Sequence, residues 1–117
     1  MSRHTDALVE RLTRLLNDPG RPEEAVTRLI SADAVFDRLD RALRSGGDLP
    51  TPWDTRLGDG METMEVTEHY DALSEALRET GEPLTCRRAL SRARYRWASL
   101  RIAITSGAPL PQPWERR

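Results

Sequence analysis

Lysine is absent from this chain and cysteine nearly so. All 18 basic residues are arginine, a bias that fits a GC-rich genome better than selection for guanidinium chemistry. Cys86, the single cysteine, rules out an intramolecular disulfide and leaves no thiolate cluster for zinc or iron–sulfur ligation. No apolar run approaches the roughly 18 to 20 residues that a membrane span needs. Met1-Ser2-Arg3-His4 leads into a polar helix rather than a signal-peptide core, so the expectation is a cytoplasmic protein with no membrane partner. The net charge of −1 supplies no global pull toward nucleic acid or anionic lipid.

Catalytic devices are equally scarce. His4 and His69, the two histidines, stand near helix starts and read as polar surface groups rather than bases. There is no Glu-x-x-His metal motif, no glycine-rich phosphate loop and no nucleophile elbow. The expectation is a protein without cofactor, metal or enzymatic activity.

What is present is an internal repeat. Sliding the sequence against itself by 61 positions aligns Gly20 with Gly81, Pro22 with Pro83, Leu29 with Leu90 and Leu39 with Leu100. The match runs on without a gap through Ser45/Ser106, Gly46/Gly107, Leu49/Leu110, Pro50/Pro111, Pro52/Pro113 and Trp53/Trp114. Shared helical composition does not explain repeated glycine, proline and tryptophan at one spacing. The fold class expected is all-α: a single four-helix domain over 1–117, made of two tandem helix hairpins with pseudo-two-fold symmetry. Unit one covers about 4–56 and unit two about 66–117, and each ends in an extended Leu-Pro-x-Pro-Trp segment.

Local signals place the helices. Thr5 is a plausible N-cap for a first helix over Asp6–Asn17, with Leu8, Leu12, Leu15 and Leu16 on one side. Pro22 suits the first position of a second helix, and Arg44 and Gly46 suit its end. The third helix starts at Thr63 or Thr67 and runs to Glu79; the fourth runs from Pro83 to about Thr105. Ser31 could cap a new helix, but apolar or small residues at Pro22, Ala25, Leu29, Ala32, Phe36, Leu39 and Leu43 alternate three- and four-residue steps and predict one continuous helix. Pro83, Cys86, Leu90, Ala93, Trp97, Leu100 and Ile104 repeat that seam, which gives Cys86 a packing role. Beside the seam, Asp33 and Asp40 in unit one become Arg94 and Arg101 in unit two. An antiparallel pairing of helices 2 and 4 would bring Asp33 to Arg101 and Asp40 to Arg94.

Three surfaces could carry function. Leu49, Pro50, Pro52 and Trp53, with Leu110, Pro111, Pro113 and Trp114, could form two equivalent partner-docking sites, or could fold back and bury each tryptophan as a lid on the core; the gain from burial favours the lid. The charges are also segregated: residues 54–82 carry nine acids against two arginines, and 83–117 carry eight arginines against one acid. Arg87, Arg88, Arg92, Arg94, Arg96 and Arg101 could meet nucleic-acid phosphates, although neutralisation of the acidic third helix is the simpler reading. Finally, Leu84, Tyr95 and Ile102 lie off the helix-4 seam and could meet a third helix, or a partner that includes a second copy of the chain. These features point to a protein-interaction or regulatory module, with nucleic-acid binding through helix 4 as the alternative.

Gly107-Ala108-Pro109-Leu110-Pro111-Gln112-Pro113-Trp114, and less closely its first-unit counterpart with Asp48, resembles the Pro-Leu-Pro-x-x-Trp ending of small helical proteins of actinobacteria. That resemblance covers about a dozen residues per copy. It implies a bacterial accessory protein and assigns no site.

Overall fold

The seam residues form helices because they lay apolar side chains along one side at three- and four-residue steps, and the structure, a computed structural model, places those sides together. It describes residues 3–18, 20–51, 53 and 60–115. Four α-helices follow in order: α1 (Arg3–Asn17), α2 (Ala25–Arg44), α3 (Gly60–Leu77) and α4 (Pro83–Thr105). Single 3-10 turns precede α2 at Pro22–Glu24 and close the chain at Gln112–Trp114. No strand occurs among the described residues.

α1 packs on α2, α3 packs most extensively on α4, and α2 lies against α4; α1 also touches α4, and α2 touches α3. The expected neighbourhood of the second and fourth helices is therefore present. α2 runs unbroken through Ser31-Ala32-Asp33. From Ala25 and Cys86 onward every seam residue is buried, whereas Pro22 and Pro83, at the mouths of the helices, are exposed. Cys86 is a buried packing residue whose thiol lies 3.7 Å from the Gly81 carbonyl.

Some local expectations shift. Thr5 does not cap α1; it is buried inside the helix, and its hydroxyl donates to the Asp48 carbonyl at 2.9 Å. Val9 joins the core beside Leu8, while Leu15 is only half-buried. Pro22 opens a 3-10 turn rather than α2 itself, and α3 begins earlier than expected, at Gly60, and ends two residues short of Glu79.

Both long helices stop in the same way. The Gly46 and Gly47 amides donate to the carbonyls of Leu43 (3.2 Å) and Ala42 (2.8 Å). Sixty-one residues later, Gly107 and Ala108 donate to Ile104 (3.1 Å) and Ala103 (3.0 Å). These are Schellman endings, and they require a left-handed residue, which Gly46 (φ 82°) and Gly107 (φ 101°) provide. The chain then turns back. The Thr51 amide donates to Asp6 at 2.7 Å and the Gln112 amide to Thr67 at 2.9 Å, so the first extended segment is pinned to α1 and the second to the middle of α3.

The segments end in the core. Trp53 is 6% exposed and Trp114 fully buried. Their rings stack on each other, with centroids 5.6 Å apart and planes 25° from parallel. Each also reaches a long helix: Trp53 meets Trp97 of α4 at 6.5 Å, and Trp114 meets Phe36 of α2 at 6.3 Å. These indoles join the two halves.

Candidate interaction surface

α4 has two usable sides because its sequence carries two stripes. Cys86, Leu90, Ala93, Trp97, Leu100 and Ile104 turn inward. On the opposite side, steps of seven, four, three and four residues align Leu84, Ser91, Tyr95, Ala98 and Ile102, all exposed. Leu84, Tyr95 and Ile102 are 57%, 65% and 68% exposed, which leaves an apolar ridge facing outward.

Helical geometry puts arginines on both flanks of that ridge. Arg87, Arg94 and Arg101 recur every seven residues on one side; Arg88, Arg92 and Arg96 recur every four on the side toward α3. Arg88, Arg92 and Arg94 are exposed, while Arg87, Arg96 and Arg101 are half-buried. Arg101 lies over the Trp97 ring (5.8 Å), Arg96 lies over Tyr95 (5.6 Å) and donates to His69 Nδ1 (3.0 Å), and Arg92 pairs with Glu79 at 3.7 Å. Arg87, Arg88 and Arg94 have no carboxylate partner among the described residues.

α3 supplies the opposite charge without using it locally. Glu65, Glu68, Asp71 and Glu75 are exposed and likewise make no ion pair among the described residues. Met64 is 79% exposed. The expected neutralisation of α3 by α4 is not seen among the described residues: the one α4 arginine that pairs with a carboxylate, Arg92, meets Glu79, two residues past the end of α3. Antiparallel neighbours point their outermost side chains away from each other, which leaves the two charge sets side by side rather than joined. Between the helices runs a groove of about 560 Å³, floored by Ala72 and Ala76 and edged by Glu75, Glu79, Ser91, Arg92, Tyr95 and Arg96.

The charge pairing anticipated between α2 and α4 is also replaced. Asp40 does not meet Arg94. It accepts from the Tyr70 hydroxyl (2.6 Å), the Trp114 indole (2.8 Å) and Arg44 (3.0 Å), and Arg44 also donates to the Tyr70 oxygen (2.7 Å). Burial and donation to Asp40 push the Tyr70 hydroxyl up to about 12, with Arg44 opposing. Nor does Asp33 meet Arg101; burial raises its carboxyl above the ordinary range, opposed by Arg78. An aspartate wrapped by three donors gains more than one reaching across solvent to a mobile arginine. Tyr70 escaped sequence reasoning because its counterpart under the 61-residue shift is Val9, so the repeat gave no hint of a polar network there.

The Leu-Pro-x-Pro-Trp residues offer little surface. Pro50, Trp53, Leu110, Pro111 and Trp114 are buried, Leu49 and Pro113 half-buried, and Pro52 lies outside the described residues. His4 is exposed, and no group of three or more metal-ligating side chains occurs among the described residues. No described helix is long and apolar enough to cross a membrane. No protein-family profile, curated protein or solved structure matches the chain.

Proposed function

We propose that this protein is a non-enzymatic interaction module of the bacterial cytoplasm whose outer α4 side docks a partner protein. The observation that carries this reading is the exposed ridge of Leu84, Tyr95 and Ile102 between two rows of arginines, five of whose six members lack a carboxylate partner among the described residues. Such a surface fits a helix with an apolar seam and carboxylates on either side. The ridge drives association by leaving water, and the arginines set register and partner choice.

The scaffold behind that surface is, in this reading, a duplicated hairpin whose halves are related by a pseudo-two-fold axis between Trp53 and Trp114. Supporting it are the matched Schellman endings, the matched Thr51 and Gln112 tethers, and the exchanged contacts of Trp53 with Trp97 and Trp114 with Phe36. Duplication explains how a chain this short holds α4 rigid while sparing its outer side for a partner.

The test is fluorescence anisotropy with a labelled synthetic helix carrying leucines at heptad spacing flanked by glutamates, against a scrambled control. Binding should weaken with salt and fall about tenfold or more in Tyr95→Glu. Absence of binding at low ionic strength sinks the reading. The unpaired Arg87, Arg88 and Arg94 also favour a second reading, nucleic-acid binding through α4, which the carboxylates of α3 oppose by repelling phosphate. A mobility shift that falls steeply with salt and vanishes in Arg88→Ala, Arg92→Ala would select it.

A further inference from the structure

Resting on the docking reading above, we infer that the acidic helix fitting the α4 ridge is α3 of a second copy, so that the chain dimerises through its α3–α4 side. The observation is a charge separation without internal use. Glu65, Glu68, Asp71 and Glu75 on α3, and Arg87, Arg88 and Arg94 on α4, lie on neighbouring helices yet form no ion pair among the described residues. Surface charges placed for intramolecular neutralisation would meet between the two helices, and among the described residues only Arg92, with Glu79 just past the end of α3, does so.

A two-fold axis along the α3–α4 groove converts that pattern into complementarity. It lays α3 of one copy over α4 of the other, antiparallel, twice over. An axis across the helices would instead set acid on acid and arginine on arginine, which costs association energy. The hairpin also fixes the heights. Contacts such as His69 with Arg96 show which residues of the two helices stand level, and by that register Met64 comes over Ile102 and Glu68 and Asp71 over the Arg94 turn. Met64 and Ile102 are the two most exposed large apolar side chains among the described residues. The groove floor of Ala72 and Ala76 permits close approach along the axis, with Tyr95 at its edge.

Sedimentation velocity on the full chain over a concentration series tests this. At low salt the mass should rise with concentration to twice that of the monomer, and raised salt should dissociate it. Ile102→Glu, at an exposed position, should weaken the dimer about tenfold or more while circular dichroism stays unchanged. Glu68→Arg with Glu75→Arg should be monomeric, as should Arg87→Glu with Arg94→Glu; mixing the two should restore a dimer. A wild-type chain monomeric at every concentration overturns the inference, and so does a dimer indifferent to all of these changes. If that monomer still binds the acidic helical peptide, only the self-association falls and the docking surface stands.

Discussion

Trp53 and Trp114 occupy equivalent positions yet end in different chemistry. The Trp114 indole donates to Asp40, whereas the Trp53 indole nitrogen is buried with no acceptor among the described residues. Asp40 supplies the acceptor for Trp114, whereas Arg101, 61 positions later in the sequence, is a donor and lies over the Trp97 ring. Replacing either tryptophan by phenylalanine loses similar ring volume, but only Trp114→Phe breaks a hydrogen bond to a carboxylate. Urea denaturation should therefore place Trp114→Phe about 1.5 to 3 kcal/mol below Trp53→Phe. Tyr70 adds a pH dependence. Its hydroxyl stands at about 12, above the ordinary value of 10, because burial and Asp40 favour the neutral phenol in the folded chain. Its contribution to stability is complete below pH 10 and is lost as pH rises through about 12. Denaturation midpoints measured from pH 9 upward should fall across that window, and Tyr70→Phe should flatten the fall.

At the level of elements, the decisive features are the endings of α2 and α4. Each needs a left-handed glycine to close its last carbonyls and turn the chain toward its tryptophan. Alanine at Gly46 or Gly107 should cost about 1 to 2 kcal/mol for the left-handed conformation alone, read as a drop in unfolding free energy. The same substitution at Gly60, the first residue of α3, should cost far less. The outer side of α4 contrasts with these endings. Ile102→Glu and Tyr95→Glu should leave monomer stability within about 0.5 kcal/mol, because exposed positions carry little of the fold. A larger loss would mean that the ridge serves the core rather than a partner.

Across the four helices, aromatic rings tie α2 and the segment after it to α3, α4 and the segment that follows. Trp53 reaches Trp97, Trp114 reaches Phe36 and Tyr70, and the Trp97 indole donates to Thr13 in α1. Neither half can bury these groups alone. Peptides covering 1–58 and 59–117 should each show weak helicity by circular dichroism at 222 nm and gain helix when mixed. Full helicity in either half by itself would contradict this account. By itself the amino-acid sequence determined the helices, their approximate ends, the seam and the 61-residue repeat, because these follow from periodicity, capping and proline geometry within a few turns of chain. It set Leu84, Tyr95 and Ile102 off the seam, but favoured contact with a third helix, whereas all three face solvent. Long-range packing alone sets Asp40 against Tyr70 and Trp114 instead of Arg94, stacks the two buried indoles on each other, and leaves Glu65, Glu68, Asp71 and Glu75 of α3 without an ion pair among the described residues. Those outcomes depend on which donors and acceptors meet across residues 26 to 74 positions apart in the chain, a competition that local pattern does not contain.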